Sequence, residues 1–510
     1  MLTRCFALIF LFCSWPLLNF TFASRQELDS SGLSFISLMF ACVLLTGYVA
    51  FYVIHRLMRR NRPIAVAITI SVAVLLFFNY YLIYDGIVYV FSILGFGGGE
   101  NYLYALIVAV TCLISVCLLN KKIILDFLIV FGLAVNAGPA IGSAYFFISA
   151  NATASEQEVV ETASSQSSSP FLSFPNIFHI ILDAYAREDS LRKMADWDNS
   201  EFIDSLKQRG FYIASSSYSN YPSTVLSIAS TMEMNYPVTD ESVPYRSKVK
   251  YIRSIQGENK VVRQLKQHQY RYTHFGSGKG VSARCSGVED LCLSSRNAVQ
   301  QAILYLTPLR RFVISRRTSI SEIGPRLDKI MEPGRPTFLF AHVLVPHPPR
   351  TFSSSCSQLN LRGSAPITDY WGDYEGYTND VKCVNQQVLD LVDAILKRDP
   401  NAVVILHADH GSAFSVDWSL PIDKWPSSQA EERFAILMGL RLPVQCSEHL
   451  YKNLSPVNIY PLLFACLKGD EPELLPDISY ISPKDDHPQY GTAFPYQVWS
   501  DRATGNKHSD

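Results

Sequence analysis

Carboxylate and imidazole side chains follow two apolar segments of the chain, at the point where each segment ends. Asp183 comes directly after Asn176–Leu182, and Asp409-His410-Gly411 follows Ala402–Ala408. Continuous apolar runs of this kind are typical of strands in a sheet that is covered on both faces. Because sites in open α/β sheets lie at the carboxyl ends of strands, we expect these side chains to converge. Both ligand types suit a hard or borderline divalent cation.

A third apolar strand, predicted over Thr337–Val345, leads into two histidines. His347 stands between prolines, in a rigid loop that suits contact with a leaving group or a phosphate oxygen. His342 alternates with core residues along the strand, so we expect it to be structural rather than a ligand. For Asp183, a role as a turn residue or helix cap also stays open.

The hydroxyl nucleophile that such a site needs is offered by Ser223-Thr224-Val225-Leu226-Ser227, at the start of a predicted helix. The preceding Pro222 suits the first turn of a helix. The positive field at a helix N-terminus favours an alkoxide and an incoming anion, and coordination to a metal lowers the pKa of a hydroxyl further. In the alternative interpretation, Ser223 and Thr224 only cap the helix.

The elements that must position these residues begin at Pro175, where short apolar strands alternate with helical stretches. Glu201–Gln208 and Asp380–Leu396 have the spacing of amphipathic helices. This alternation predicts an α/β/α sandwich over residues 175–510. Residues 151–174 are rich in serine and have no apolar periodicity, so they predict a flexible linker.

Residues 1–150 predict a bundle of five transmembrane helices. Most of its apolar runs approach the ~20 residues that a helix needs to cross a bilayer. The runs are Phe6–Phe22, Phe35–Ile54, Ile64–Tyr84, Tyr102–Leu119 and Ile123–Ile148. The first run ends in Thr21-Phe22-Ala23 and also fits a cleaved signal peptide.

Charged residues between the runs predict the orientation of the bundle. Basic residues precede the first run and fill the second and fourth loops, whereas the first and third loops are acidic, with Arg25 as their only basic residue. Because basic loops stay in the cytoplasm, we expect a multi-pass plasma (inner) membrane protein with an extracytoplasmic, periplasmic catalytic domain. Asp126, the main ionisable residue within a run, can reach the interface, so the spans predict an anchor rather than a transporter.

The composition excludes several classes of protein. The 510 residues carry a formal net charge of −1, with 48% hydrophobic and 17% charged residues. Residues 151–510 hold 36 basic and 40 acidic residues. No basic patch stands out that would neutralise phosphates, so nucleic acid is not expected as a partner. Disorder, collagen and coiled coil are also excluded.

The cysteines fall into two groups. Five lie in the apolar runs and are interpreted as small hydrophobic residues, namely Cys5, Cys13, Cys42, Cys112 and Cys117. The other six lie in the predicted extracytoplasmic part, where an even number favours three disulfides. Proximity in sequence favours the pairs Cys285–Cys292, Cys356–Cys383 and Cys446–Cys466. A zinc–cysteine site is the alternative, which no Cys-x-x-Cys pair supports.

Taken in chain order, the early aspartate, the Ser/Thr at a helix start, the Pro-His-Pro loop and the late Asp-His-Gly resemble the alkaline phosphatase superfamily. More closely, the chain resembles the membrane-anchored, sulfatase-like branch, which includes lipid A phosphoethanolamine transferases and lipoteichoic acid synthases. Those proteins also have five N-terminal spans and an extracytoplasmic catalytic domain. The resemblance covers nearly the whole chain in architecture and a few short motifs in residues.

The resemblance implies a role for each candidate residue. Thr224 would be the nucleophile, and Asp183, Asp409 and His410 would hold one divalent metal ion together with Thr224, with Zn or Mn/Mg expected. His347 would contact the phosphoryl group or its acceptor. In the implied two-step reaction, Thr224 takes a headgroup of phosphoethanolamine or phosphoglycerol type from a membrane phospholipid and releases diacylglycerol. An envelope glycan or glycolipid then accepts the headgroup.

The chain departs from the phosphoethanolamine transferases at several positions. Those enzymes usually have Glu in place of Asp183 and often a further histidine soon after Asp-His-Gly, which Ser412–Arg441 lacks. The cysteines that flank their nucleophile are also missing. The nearest acidic residues that could supplement the site are Asp417, Glu431 and Glu432, each of which we expect on the surface.

A formylglycine sulfatase is not expected from these residues. Such an enzyme needs Cys or Ser at the start of Cys/Ser-x-Pro-x-Arg, and counting from Pro222 that position is Asn220, with Thr224 at the Arg position. Two other classes stay open beside headgroup transfer. One is a metal-dependent phosphodiesterase, phosphatase or other sulfatase-like hydrolase, which would give no acceptor-dependent product. The other is a non-catalytic, membrane-anchored assembly protein, which would bind no metal and tolerate Thr224→Ala.

Overall fold

The computed structural model describes residues 1–23, 30–57, 62–80, 83–84, 87, 107, 121–161, 170–238, 249–278, 280–293, 303–304, 306–309, 317–359, 371–417, 420, 425–481 and 494–495. The chain forms two compact units. The first is Met1–Ser167 with Asn297–Ser315 and Leu361–Pro366. The second is Ser168–Arg296, Arg316–Asn360 and Ile367–Asp510.

Apolar helices dominate the described part of the first unit. In chain order they are α1 (Leu2–Ala23), α2 (Ser30–Leu57), α3 (Pro63–Phe78) and α4 (Lys122–Glu161). Three of them, α1, α2 and α4, contain stretches long and apolar enough to cross a membrane, and α3 is a shorter apolar helix. The remaining predicted run, Tyr102–Leu119, lies outside the described residues apart from Ile107. The bundle of five helices therefore stays a prediction.

The core of the first unit is built largely from α1. Cys5, Leu8, Ile9 and Cys13 are fully buried, and they cluster with apolar residues of the other three helices, such as Phe51. The packing of these four helices therefore depends on the side chains of α1.

Polar contacts also join α1 to α4. Arg4 Nη1 lies 2.7 Å from Asp126 Oδ1, and Asn136 Nδ2 donates to the carbonyl of Leu11 at 3.0 Å. Arg4 and Asp126 are both near the N-terminal ends of their helices, the ends that the charge pattern predicts to be cytoplasmic. Asp126 therefore has a local basic partner, which fits the prediction of an anchor.

A later segment of the chain also belongs to the first unit. Ile303 is fully buried in a cluster with Leu17, Ile36 and Phe78 of the apolar helices. In addition, α4 continues to Glu161 and covers residues 151–161 of the predicted linker. The predicted domain boundaries at residues 150 and 174 stay a prediction. The structure shows in addition that a later segment belongs to the first unit and that α4 extends past residue 150.

A seven-stranded mixed sheet forms the centre of the second unit. Its strands are β1 (Ile177–Leu182), β2 (Tyr212–Ile213), β3 (Arg271–Phe275), β4 (Leu291–Cys292), β5 (Thr337–Val343), β6 (Val403–Ala408) and β7 (Met438–Arg441). They lie in the order β2-β7-β6-β1-β5-β3-β4. Strands β6, β1, β5, β3 and β4 are parallel, whereas β7 is antiparallel to both of its neighbours. A separate antiparallel pair consists of β8 (Tyr480–Ile481) and β9 (Phe494–Pro495).

Helices surround this sheet along the chain. They are α5 (Glu188–Ala195), α6 (Ser200–Gln208), α7 (Thr224–Glu233), α8 (Val249–Ile255), α9 (Lys260–Gln267), α10 (Leu327–Ile330), α11 (Tyr374–Arg398), α12 (Ser427–Phe434) and α13 (Ile459–Lys468). Every residue of β1, β5 and β6 is buried, so these strands are covered on both faces. The three predicted strands are confirmed, and the two predicted helices lie within α6 and α11.

Three disulfides join the six cysteines of the second unit. They are Cys285–Cys292, Cys356–Cys383 and Cys446–Cys466. The pairing predicted from sequence proximity is therefore confirmed, and these thiols are not available as zinc ligands.

Candidate active site

Asp183 and Asp409 lie side by side at the carboxyl edge of the sheet. Their strands, β1 and β6, are paired in register up to the last residue, so each aspartate follows at the same level. Asp409 Oδ1 accepts hydrogen bonds from the amides of Ala184 and His410, at 3.0 and 2.9 Å. The Nε2 atom of His410 lies 3.4 Å from Asp409 Oδ2 and 3.6 Å from Asp183 Oδ1. The predicted convergence of these three side chains is therefore present.

Helix α7 brings the predicted nucleophile to the same place. Thr224 is the first residue of the helix, and its Oγ1 lies 3.3 Å from His410 Nε2. The N-cap residue Ser223 makes no capping hydrogen bond through its side chain, which speaks against the capping interpretation. One turn later, Ser227 donates its hydroxyl proton to the carbonyl of Asp409 and so ties the helix to the strand end.

His342 also faces this group of residues, although the sequence suggested a structural role. It is buried, and its Nε2 lies 3.6 Å from Asp183 Oδ2 and 3.9 Å from Asp409 Oδ2. In the parallel ladder it pairs with Ile181, which is two residues before Asp183 and so projects to the same face of the sheet. The register of β5 against β1 is the signal that could have indicated His342, and it is not readable from either strand alone.

The residues present fit a divalent cation. Ligand atoms of Asp183, His342 and Asp409 all lie within 4.8 Å of one another. Among the described residues, Asp183 Oδ1, Asp409 Oδ2 and His342 Nε2 are buried and have no hydrogen-bond partner. Buried polar atoms are normally satisfied, and a cation among two carboxylates and an imidazole would satisfy all three. His410 Nε2 lies close to both carboxylates, and these four side chains, which would bind such a cation, are referred to as the metal-binding group.

Burial and neighbouring charges set the protonation of the group. Burial and the Asp409 carboxylate raise the pKa of Asp183 to about 7. Burial also acts to raise the pKa of Asp409, but His410 and His342 outweigh it and lower that pKa to about 2. Burial and the Arg433 guanidinium lower the pKa of His410 to about 3, so this imidazole is neutral at physiological pH.

His347 lies beside the metal-binding group, on the loop that follows β5. Its ring centroid is 6.2 Å from that of His410, and its amide donates to the carbonyl of Asp183 at 3.1 Å. The buried guanidinium of Arg317 donates to the carbonyls of Leu344, His347 and Pro348 and so holds the loop. The loop thus presents His347 to the site without placing it among the metal-binding atoms.

Two adjacent residues at the end of α12 hold the segments that carry the site. Arg433 Nε donates to the carbonyl of Pro222 at 2.8 Å, and Nη1 donates to that of Gly411 at 3.0 Å. The carboxylate of Glu432 accepts hydrogen bonds from Ser412, Phe414 and Ser415, including one from Ser412 Oγ at 2.9 Å. The prediction that Glu432 lies on the surface is wrong, because the loop after Asp-His-Gly folds over it, whereas Asp417 is exposed as expected.

Asn220, at the position that formylglycine would occupy, is part of the protein core. Its side-chain nitrogen donates to Ser455 Oγ at 3.2 Å and to the carbonyl of Ile478 at 3.0 Å. Its Oδ1 accepts from the amide of Val457 at 2.9 Å. These bonds give Asn220 a structural role, in agreement with the absence of a formylglycine motif.

Several solved structures are similar to this chain, each at low identity. The periplasmic domain of EptC from Escherichia coli is 12% identical, with 64% of this chain and 94% of that chain covered and a TM-score of 0.42. The lipooligosaccharide phosphoethanolamine transferase EptA from Neisseria meningitidis is 11% identical, covering 91% and 95%, with a TM-score of 0.40. The phosphonate monoester hydrolase of Agrobacterium radiobacter is 15% identical, covering 62% and 82%, with a TM-score of 0.40. No curated protein sequence matches the chain.

The sequence pattern of one protein family matches the second unit nearly throughout. That family is Sulfatase, and the match runs from residue 175 to residue 509, which is more than half of the chain. The matched range contains the whole mixed sheet and the buried residues at its carboxyl edge. The chain therefore belongs to the sulfatase family, within the alkaline phosphatase superfamily.

Proposed function

We propose that this protein transfers a phosphoryl headgroup, of phosphoethanolamine or phosphoglycerol type, from a membrane phospholipid to an envelope glycan or glycolipid. The sulfatase family makes the chain a hydrolase or transferase, and the donor, headgroup and acceptor are the proposal. The main supporting observation is the Thr224 hydroxyl, which lies at a helix N-terminus, 3.3 Å from His410 Nε2, while the N-cap position is held by Ser223. The apolar helices α1, α2 and α4 support a donor that itself lies in the membrane.

In the first step, Thr224 Oγ1 forms a bond to the donor phosphorus while the bond from phosphorus to the diacylglycerol oxygen breaks. The hydroxyl proton leaves Thr224, and the diacylglycerol oxygen takes up a proton. In the second step, an acceptor hydroxyl forms a bond to the same phosphorus and loses its proton, while Thr224 leaves and regains one. Atoms and charge balance over the two steps, and no oxidant or second cofactor is needed.

We assign to His347 the transfer of protons to and from the attacking and leaving oxygens. Its Nδ1 lies 2.7 Å from the carbonyl of Pro348, and because a carbonyl can only accept, Nδ1 carries the proton of the neutral ring. Nε2 is then the atom that can take a proton from an attacking hydroxyl or hold one for a leaving oxygen.

Asp183, His342, Asp409 and His410 would hold a divalent cation together with Thr224. Two carboxylates and two imidazoles suit Zn and, among harder ions, Mn or Mg. When bound, such a cation would lower the pKa of the Thr224 hydroxyl and offset the charge on the phosphoryl oxygens.

Mass spectrometry of the Thr224 peptide tests this proposal. Full-length protein purified from native membranes is expected to carry a covalent adduct whose mass equals a phosphodiester headgroup. Thr224→Ala and Asp409→Ala should remove the adduct, whereas Ser223→Ala, which removes the neighbouring hydroxyl, should keep it. Incubation with phospholipid vesicles and a candidate glycan should then yield a product that depends on the acceptor. Headgroup release at the same rate without any acceptor would instead indicate a hydrolase, and a bare Thr224 in metal-loaded protein exposed to donor vesicles would contradict the covalent route.

A further inference from the structure

A hydrogen-bond chain behind His342 determines which tautomer its neutral ring adopts. His342 Nδ1 lies 2.6 Å from Ser282 Oγ. The same Ser282 Oγ donates its proton to Ser277 Oγ at 2.9 Å. A serine hydroxyl has one proton to donate, so Ser282 must accept from His342, and Nδ1 carries the proton.

The other ring nitrogen of His342 points its lone pair at two carboxylates. Nε2 lies 3.6 Å from Asp183 Oδ2 and 3.9 Å from Asp409 Oδ2, beyond the range of an N–H···O hydrogen bond. Within the described part of the chain, Nε2 has no hydrogen-bond partner and is buried. Buried polar atoms that face one another without a hydrogen bond are unfavourable, and a cation between them would satisfy them.

Ser282 is itself held rigidly. It is fully buried, and its carbonyl accepts from His274 Nε2 at 2.9 Å. The Nδ1 of His274 in turn lies 3.1 Å from the hydroxyl of Tyr272. Strand β3 carries Tyr272 and His274 and so holds Ser282 in place, and Ser282 in turn orients the ring of His342.

We propose that His342 binds the metal through Nε2 and that Ser282 is the positioning residue that holds this ring in the required tautomer. The metal is then coordinated by two imidazoles, those of His342 and His410, and not by His410 alone. The inference rests on the proposed function only because both concern the same site. It predicts metal binding and does not depend on which reaction the site catalyses.

Metal affinity measured without substrate tests the proposal. Full-length protein in detergent is titrated with Zn²⁺ against a chromogenic chelator. Ser282→Ala should weaken Zn²⁺ binding by about 10- to 100-fold, which is the usual effect of removing a residue that orients a ligand. Ser282→Thr keeps the hydroxyl and should bind within about threefold of the unchanged protein. Ser286→Ala is the matched control, since Ser286 lies on the same loop but donates to the carbonyl of Gln256.

X-ray absorption of the zinc-loaded, unmodified protein gives a second measurement that does not depend on a variant folding. Two imidazole ligands per zinc ion are expected, and His342→Ala should reduce the number to one. A single imidazole in the unmodified protein, unchanged affinity of Ser282→Ala, or no Zn²⁺ binding at all would each overturn the inference. Because the Thr224 adduct is measured separately, its absence with two imidazoles present would overturn only the proposed function.

Discussion

At the scale of single residues, the main feature of the site is a pair of neighbouring carboxyl groups that differ in pKa. Asp183 and Asp409 are both buried, at 4% and 0% exposure, where one unpaired charge is costly and two like charges are more so. The pKa of Asp183 is raised to about 7 by burial and by Asp409. Without a metal, the pair therefore carries a proton on Asp183 near neutral pH, and a bound cation would replace that proton.

This exchange predicts the pH dependence of metal binding. A raised pKa means that the folded, metal-free protein holds the Asp183 proton at every pH below about 7. Since a carboxylate must lose its proton to bind a metal, Zn²⁺ affinity should fall by about tenfold for each pH unit below that value. His410 does not add to the slope, because its pKa lies at about 3. Chelator competition measured between about pH 5 and about pH 8 checks the prediction.

A control for this measurement is Asp189→Asn. Asp189 is half-exposed and paired with Arg187 at 2.7 Å, away from the metal-binding group, so its removal should leave the slope unchanged. An affinity that stays constant over the whole pH range would show that Asp183 is ionised without a metal.

Among the elements, the end of α12 contacts both segments that carry the site, although it contains no predicted catalytic residue. Arg433 joins the carbonyl of Pro222, two residues before Thr224, to that of Gly411, directly after His410. The amide of Gly411 donates back to the carbonyl of Arg433 at 2.7 Å. A side chain at position 411 would lie 2.2 Å from the backbone oxygen of Glu432, so this close approach requires glycine.

Replacing Arg433 with lysine should therefore slow the reaction more than it destabilises the fold. Lysine keeps the charge but lacks the planar fork that reaches two carbonyls at once. We expect the Thr224 adduct to form about 10- to 100-fold more slowly, because small displacements of a nucleophile have effects of that size. Adduct formation from phospholipid vesicles, followed by mass spectrometry, measures the rate.

The matched control is Arg441→Lys. Arg441 also donates to three backbone carbonyls, those of Arg209, Pro400 and Ala402, but it lies at the opposite end of β6 from Asp409. It should lower thermal stability without slowing adduct formation. Equal losses of rate in both variants would mean that Arg433 contributes only to stability.

The elements that sequence could predict are those with a long, uniform pattern. Strands β1, β5 and β6 are buried on both faces, so their residues form continuous apolar runs that stand out. Strands β2 and β4 are two residues long, and such short edge strands leave no periodic signal. Glu432 was misjudged for a related reason, since the loop that buries it is not contiguous with α12 in sequence.

At the scale of the whole molecule, the cysteines and the loop charges agree on one orientation. The three disulfides lie in the second unit, whereas Cys5, Cys13 and Cys42 in the apolar helices are free. Disulfides form and persist in oxidising compartments. The basic loops that predict a cytoplasmic N-terminus therefore point to the same side for the catalytic unit as the disulfides do.

Protease accessibility tests this orientation. Trypsin added to intact spheroplasts should remove an epitope tag at the C-terminus, because the second unit is expected outside, and leave an N-terminal tag on a membrane fragment. A cytoplasmic marker protein that stays intact shows that the membranes are closed. Survival of the C-terminal tag until the membranes are opened would reverse the orientation.

The sequence by itself determined the features that depend on local pattern. The apolar helices, the central strands, the disulfide pairs and the convergence of Asp183, Asp409 and His410 follow from hydropathy, spacing and the rule that sites lie at strand ends. The place of Ser223 and Thr224 at a helix start also follows from the sequence, whereas the choice of Thr224 as the nucleophile came from the family resemblance and stays a proposal. These predictions needed no knowledge of which strands are neighbours beyond that general rule.

Tertiary structure alone decided what the remaining site residues touch. His342 reaches Asp183 because β5 lies beside β1 in one register, and Ser282 reaches His342 from a segment 60 residues away. Arg433 and Glu432 act on loops from another part of the chain. The register between strands and the packing of distant loops are set by the free energy of the whole core, so no local pattern in the sequence records them.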